Sequence, residues 1–390
     1  MRYIPRLLEK ELRNAARHFP ALILTGPRRS GKTTLLRRSF PKASYRLVED
    51  PDIIARIRSD PRSFLEELSP PVILDEIQNV PEILNYIRTM IDSSGRKVGQ
   101  WFLTGSQEAA LMQGITESMA GRAATFHLLP LSQEETSKVT VMKGGYPEVL
   151  AAPSAADTWF RSYIQTYLER DVRAISSIRD LATFRRFLSL VASRTGQMLN
   201  RADLASGLGV TVPTISEWIG ILETTQHILL VPPFFENFGK RLVKSPKLYF
   251  TDSGLVCYLL GLESERALLK SVFAGAVFEG FVASEIVKAQ INAGRRKELY
   301  YFRDRQGLEV DFVIPRGNQR LALVEAKASR TVNPHMARSM QRLSKDMARY
   351  QLSLFVVNWP SKRTERLGVL APGVRAVSAD RLEEIFSNRR

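Results

Sequence analysis

Gly26-Pro27-Arg28-Arg29-Ser30-Gly31-Lys32-Thr33 decides the fold of the first third of this chain. Two glycines bracket four residues and Lys-Thr follows, which is the phosphate-loop pattern. The run before it, Ala21-Leu22-Ile23-Leu24, reads as a short buried strand, and Thr34-Leu35-Leu36-Arg37-Arg38 reads as the opening of a helix. The loop therefore ends at a helix N-terminus, where unpaired backbone N–H groups and the positive end of the helix dipole face an anion. The expected occupant is ATP, held by Gly26, Pro27, Arg28, Arg29, Ser30, Gly31, Lys32, Thr33 and Thr34. Lys32 would neutralise the outer phosphates and Thr33 would ligate Mg²⁺.

A second motif lies downstream. Val72-Ile73-Leu74-Asp75-Glu76 is an apolar strand that ends in adjacent carboxylates, the arrangement in which Asp75 holds Mg²⁺ and Glu76 activates the attacking water. A third strand, Trp101-Phe102-Leu103-Thr104-Gly105-Ser106, is expected between the other two, with Ser106, and Thr104 next to it, as candidates to face the γ-phosphate. A helix from about Gln107 to Met119 then leads through Arg122 into the strand Ala124 to Leu129. Arg122 reads either as a finger aimed at a neighbouring subunit's triphosphate or as a charge that complements a helix C-terminus.

These motifs, with Gly144-Gly145-Tyr146-Pro147-Glu148 and Tyr163-Ile164-Gln165-Thr166-Tyr167-Leu168-Glu169-Arg170-Asp171-Val172, resemble a prokaryotic family of AAA-type P-loop ATPases. Its members carry a C-terminal DUF4143 domain, related in fold to restriction-endonuclease-like nucleases of the PD-(D/E)xK type. The resemblance covers nearly the whole chain and implies ATP hydrolysis.

Composition narrows the rest. At 390 residues the chain is long enough for two or three domains. Its single cysteine, Cys257, excludes a disulfide framework and fits a reducing cytoplasm. No apolar run approaches a membrane span, so no membrane partner is expected. A net charge of +16 and a pI near 10.0 favour phosphate-rich partners, nucleic acid first and DNA in particular.

The expected architecture is α/β. An ATPase core with a mostly parallel sheet occupies residues 1–135, a helical lid 136–190, a winged-helix module 191–252 and a nuclease-like domain 253–390. Tyr3 to Phe19 reads as a basic amphipathic helix on the core, and Trp159, Tyr163 and Tyr167 as a core stripe of the lid. In the third region Asn200 starts a helix with apolar Leu204, Ala205 and Leu208. Thr211 opens a second helix carrying Ile215, Trp218, Ile219 and Leu222, and a hairpin follows from Ile228 to Phe250. Helix, tight turn, helix and hairpin is the winged-helix order. The second helix has no Lys or Arg but two glutamates, Glu217 and Glu223. Phosphate contact is therefore expected from a wing with Lys240, Arg241, Lys244 and Lys247.

The last third runs helix, three strands, helix, strand. Alternation puts Glu309, Asp311 and Val313 on one face of a strand, and Glu325 with Lys327 on one face of the next. An acid followed by Glu-x-Lys resembles the metal-dependent restriction-endonuclease-like set. Asp311 and Glu325 would ligate Mg²⁺ or Mn²⁺, Lys327 would orient or help deprotonate a water, and Glu279 could complete the metal shell. From Gly294 to Tyr350 thirteen Lys/Arg oppose six Asp/Glu, which suits a phosphodiester held beside a cation. The reading leaves open both cleavage and a fold kept for docking alone. The whole reads as an ATPase that works on nucleic acid and assembles into a homo-oligomer, a hexamer among the sizes open to it. The alternative is an ATP-dependent switch that binds protein partners.

Overall fold

The computed structural model describes residues 3–105, 118–168, 181–234, 244–360 and 368–386. The first sheet contains β1 (Ala21–Thr25), β2 (Ser44–Leu47), β3 (Val72–Asp75), β4 (Trp101–Gly105) and β5 (Ala123–His127). Every pairing is parallel, in the order β2-β3-β4-β1-β5. The Trp101–Gly105 strand thus lies between the strand that feeds the phosphate loop and the strand that ends in Asp75, as its sequence position suggested.

Parallel strands buried on both faces explain why β1, β3 and β4 are continuous apolar runs. Ala21 and Ile23 face one cluster, with Leu74, Leu103 and the helix Ile83–Ser93. Leu22 and Leu24 face the other, with Ile73, Phe102, and Leu35 and Leu36 of the helix Lys32–Ser39. The basic N-terminal segment is helical only over Glu9–Ala15, and Leu8, Leu12 and Ala15 seat it on that second cluster. Ser106 and residues 107–117 of the helix expected after it fall outside the described residues.

Beyond the first sheet, the helices Pro147–Ala151, Ala156–Tyr163, Leu181–Ser193, Arg201–Leu208 and Val212–Thr224 precede a two-stranded antiparallel hairpin. The hairpin pairs β6 (Ile228–Val231) with β7 (Lys247–Phe250). The side chains of Asn200 and Thr211 cap the two helices that follow them, accepting from the amides of Asp203 and Thr214. Trp159 stacks on Tyr163 with centroids 4.9 Å apart, beside Tyr146, so the aromatic stripe is core as far as its side chains are described. Tyr167's side chain lies outside them.

The Gly144-Gly145 motif is explained by packing. Asp252, buried, accepts from the Gly145 amide at 2.7 Å. Facing it, a Cβ on Gly254 would stand 2.3 Å from the Lys143 carbonyl, so only glycine lets these two segments meet.

The last sheet is mixed and holds six strands in the order β12-β13-β11-β10-β9-β8. They are β8 (Tyr300–Arg303), β9 (Glu309–Pro315), β10 (Arg320–Lys327), β11 (Gln351–Asn358), β12 (Val369–Ala371) and β13 (Val374–Ser378). β8, β9 and β10 form an antiparallel meander, and β11 runs parallel to β10. The helix Ala274–Asn292 covers one face, and the helix Arg338–Asp346 covers the other through Met340 and Leu343. Helix, three strands, helix, strand is the element order read from the sequence. One apolar cluster runs unbroken from Leu131 and Tyr146 through Trp218 and Tyr249 to Phe281, Phe312 and Phe355. The helical region, the hairpin and one face of this sheet therefore share a core. Among the described residues no helix is long and apolar enough to cross a membrane.

Strict alternation along β9 does not hold. Val310 and Val313 pack into the same cluster, while Phe312 and Ile314 pack into the opposite one. The β8–β9 register shifts between Tyr300 and Phe302 at this point. Such a bulge adds a residue to one strand and re-aims the side chains beside it, and Asp311 and Phe312 lie between the shifted pairs.

Candidate functional site

The phosphate loop leaves the C-terminal end of β1 and enters the helix Lys32–Ser39 through Gly31, whose φ of 97° suits glycine. A Cβ on Gly26 would stand 2.3 Å from the Leu128 carbonyl, so the loop can begin only with glycine. Lys32, buried, folds back to donate to the carbonyls of Gly26 and Pro27 at 3.0 and 2.9 Å. Its ammonium is thus already at the loop, on acceptors that a phosphate can replace.

Thr33 donates its hydroxyl to Asp75 Oδ2 at 2.7 Å, and Tyr45 on β2 donates to the same oxygen at 2.8 Å. Asp75 is 2% exposed, and its other oxygen, Oδ1, is buried without a hydrogen-bond partner among the described residues. Burial raises the pKa of this carboxyl, and the hydrogen bonds from Thr33 and Tyr45 oppose the rise. A hydroxyl and an orphaned carboxylate oxygen side by side are the donors that Mg²⁺ takes, so this pair fits the ion that the loop implies.

Glu76 follows with φ 62° and ψ 42°, a left-handed conformation that costs a non-glycine residue energy and is typical of functional positions. Its carboxylate accepts from Gln78 Nε2 and faces Arg28 Nη1 at 3.7 Å. Thr104, fully buried at the end of β4, has a hydroxyl with no partner among the described residues, which makes it the described candidate for a polar contact to the nucleotide.

Arg122 does not face its own chain's loop. It precedes β5, so it sits at the N-terminal end of the parallel strands, whereas the loop leaves the C-terminal end of β1. Its guanidinium grips Asp92 through two bonds, at 2.9 and 2.7 Å.

Arg6, His227 and Thr225 near the loop have no counterpart in the sequence reading, and Tyr163 is read there only as core. Arg6 donates to the carbonyls of Ser30 and Leu129 at 2.8 and 2.7 Å and to Glu135 at 2.8 Å, tying the N-terminal segment to the loop. Tyr163 Oη lies 2.9 Å from His227 Nε2 and 3.3 Å from the Arg28 carbonyl, two acceptors that compete for its single proton. Thr225 donates its hydroxyl to Ile221, so it accepts from His227 Nδ1 at 2.8 Å, and Nε2 is left to accept from Tyr163. Burial pushes the His227 pKa down to about 3, which keeps the ring neutral. No local motif marks these residues, because their partners lie far away in sequence.

The second constellation is at the far end of β10. Lys327 Nζ donates to Glu325 at 2.5 Å and lies 3.8 Å from Asp311. The β9–β10 ladder ends at Val324 opposite Phe312, and beyond it Asp311 accepts the Ala326 amide at 2.9 Å. Its carboxylate thus stands in for a backbone acceptor where the strands part. Burial, and then the Asp311 charge, pushes Glu325 up to about 8. Asp311, Glu325 and Lys327 are therefore brought together as expected.

Glu279 is not free to join them. Its carboxylate accepts from Tyr249 at 2.5 Å and from Lys247 at 2.9 Å, and Lys247 also pairs with Glu309 at 2.6 Å. Among the described residues no three His, Cys, Asp or Glu side chains converge to hold a metal ion as they stand. The carboxylate expected to complete the metal shell is therefore satisfied in this structure by a buried ammonium. Lys247 is 3% exposed inside that ion-pair cluster rather than on a wing facing phosphate. Lys244 is exposed, and Lys240 and Arg241 lie outside the described residues. A cavity of about 460 Å³ adjoins this cluster, lined by Arg194, Asn200, Lys247 and Arg303 among others.

Comparison with known proteins agrees with the first constellation. Residues 18–137 match the AAA domain family AAA_14, and residues 135–266 and 274–372 match two domains of unknown function, DUF8612 and DUF4143. Uncharacterized proteins of Mycobacterium bovis and Mycobacterium tuberculosis are each 31% identical over 380 residues, which is 95% of this chain and 82% of theirs. Among solved structures, a Walker-type ATPase of Pyrococcus abyssi shares 16% identity over 65% of this chain and 94% of its own, with a TM-score of 0.46. A RuvB variant of Thermotoga maritima shares 15% over 58% of this chain and 89% of its own, with a TM-score of 0.31. Both scores are too low to add to the fold assignment, which rests on the strand order, the loop and the AAA match.

Proposed function

The chain belongs to the same family as its two uncharacterized mycobacterial relatives, and from that premise we propose that it is an Mg²⁺-dependent ATPase that works on nucleic acid. The observation that carries the ATPase reading is the Thr33–Asp75 contact at 2.7 Å, with Asp75 Oδ1 orphaned beside it at the mouth of a phosphate loop. In this reading Mg²⁺, when bound, neutralises phosphate charge. Lys32 moves from the loop carbonyls to the outer phosphates, and the loop amides hold the rest. Glu76, poised by its left-handed backbone and steadied by Gln78 and Arg28, orients and polarises the attacking water.

Lys32→Ala should abolish phosphate release, and Glu76→Gln should leave nucleotide bound but unhydrolysed. Unchanged turnover in both variants would sink the ATPase reading. A finger role for Arg122 requires a second subunit. Mixing inactive Arg122→Ala with inactive Lys32→Ala should then restore part of the turnover, because some mixed interfaces pair an intact loop with an intact arginine.

The nucleic-acid reading is supported by the net charge of +16 and by the helix, turn, helix and hairpin order before the last sheet, taken as a winged helix. The last sheet, with its meander and the Asp311, Glu325 and Lys327 set at the point where strands part, supports a restriction-endonuclease-like domain. Asp311 and Glu325 are the pair that would hold a divalent ion there, and Lys327 would steer a water. Steep loss of DNA affinity with rising salt is the expected signature of phosphate contacts. Salt-independent or absent binding would favour the switch that acts on protein partners.

A further inference from the structure

Three arginines gather at the turn end of the last sheet, at the opposite end of β10 from the carboxylates. Arg316 follows β9, Arg320 opens β10, and Arg375 lies on β13. The Arg316 amide donates to the Arg320 carbonyl at 2.8 Å, so these two side chains spring from one tight turn. The guanidinium carbons of Arg316 and Arg375 stand 5.5 and 4.8 Å from the ring centroid of Phe355, which is fully buried. A buried ring gives the cations a low-dielectric floor and holds two of them close together.

Like charges packed this way repel unless something opposes them. Among the described residues no carboxylate pairs with any of the three. Arg316 Nη2 and Arg320 Nε are shut off from solvent with no hydrogen-bond partner among the described residues. Such unmet donors are rare in folded proteins and point to a ligand, ion or water that completes them. Burial, and then the charges of Arg375 and Arg320, lowers the pKa of Arg316. A guanidinium fork matches the paired oxygens of a phosphate group.

We propose that Arg316, Arg320 and Arg375 form a docking site for the phosphate groups of a nucleic-acid backbone, separate from the ATP loop. The site rests on the reading that the chain works on nucleic acid. Arg375 is exposed and Arg316 and Arg320 are half-buried, so the cluster opens to solvent at one side. Along β10 the five steps from Arg320 to Glu325 span about 17 Å, or roughly five phosphate steps of one DNA strand at about 3.4 Å each. Five steps is an odd number, so Arg320 lies with Val324 and Phe355 on the face opposite Glu325, and the arginine site stands apart from the carboxylates.

The test is fluorescence anisotropy of the full chain with labelled single-stranded and duplex oligonucleotides over a range of salt. Arg316→Gln/Arg320→Gln should weaken binding about tenfold or more and make the slope of log affinity against log salt shallower by about 2. The exposed Arg375→Glu should weaken binding several-fold, and it provides the reading if the double variant fails to fold. Arg56→Glu, an equal charge reversal on the first domain, should leave affinity nearly unchanged. Wild-type binding with the same affinity and slope in folded Arg316, Arg320 and Arg375 variants would overturn the site while leaving the nucleic-acid reading intact. Equal loss from Arg56→Glu would overturn it as a mere field effect. Failure of the wild type to bind either oligonucleotide would overturn the broader reading, and the site with it.

Discussion

Thr33 and Asp75, from two segments far apart in sequence, meet through a 2.7 Å hydrogen bond, and the hydroxyl of Tyr45 shares the same carboxylate oxygen at 2.8 Å. On the proposed reading Tyr45 is a positioning residue for the carboxylate that would hold Mg²⁺. It holds Oδ2, so that Oδ1, buried and without a hydrogen-bond partner among the described residues, is the oxygen left to bind the ion in that reading.

Removing this positioning should be separable from removing the ligand. Asp75→Asn should lower ATP turnover by about a hundredfold or more, the scale of losing a metal-held phosphate contact. Tyr45→Phe should keep most of the maximal rate but raise the Mg²⁺ concentration needed for half-maximal rate several-fold. Phosphate release measured across a Mg²⁺ titration checks both, and equal behaviour of Tyr45→Phe and wild type would reject the positioning role.

The Arg6–Glu135 pair, with side chains 5% and 0% exposed, predicts a large asymmetric effect on stability. Arg6→Met strands a buried carboxylate together with the Ser30 and Leu129 carbonyls, at a cost of about 3–5 kcal/mol. Arg6→Met/Glu135→Gln removes the stranded charge and should recover a substantial part. Chemical denaturation of both variants reads this directly, and equal losses would show that the charge is not the cause.

His227 predicts a pH dependence. Its folded pKa, about 3, lies below the ordinary value of 6.5, so the neutral ring favours the fold. The sign follows from the unfolded chain, which binds the proton first: stability is complete above pH 6.5 and falls as pH drops from there towards 3. The local slope is about 1.4 kcal/mol per pH unit. His227→Gln should flatten the melting temperature against pH between about 6.5 and 4, relative to wild type. An unaltered slope would mean that the burial of His227 does not control the titration.

Divalent ions should stabilise the last domain if Asp311 and Glu325 bind one. At a hundred times its dissociation constant an ion adds about 2.7 kcal/mol, enough to move the melting temperature by several degrees. Mn²⁺ without nucleotide, added to a Lys32→Ala/Asp75→Asn background that disables the first site, should raise it. Asp311→Ala in the same background should abolish the rise. A rise that persists with Asp311→Ala would place the ion elsewhere.

The nucleotide site was legible because its signals are local in sequence. A glycine-bracketed loop between a strand and a helix, and a carboxylate at a strand end, each name their role through neighbours a few residues away. Helix starts at Asn200 and Thr211 were legible for the same reason, since a cap bonds within its own first turn. The Asp311, Glu325 and Lys327 set was legible through spacing, although the alternation used to reach it was wrong along β9.

Tertiary structure decided what charge and position could not. Lys247 looked like a wing cation, but the fold buries it between Glu279 and Glu309, and these acids, with Asp311, hold its pKa up despite the burial. Glu279, expected as a ligand, is paired with that lysine. The bulge at Asp311, the Arg6 clamp, the Tyr45 contact and the arginines around Phe355 all join residues from different strands or helices. The sequence by itself determined which elements form and which local motifs they carry, because propensity, capping and loop chemistry act over a few residues. Which charges are neutralised, and which are left unmet to bind something else, depends on distances between remote segments, and only the packed chain sets those.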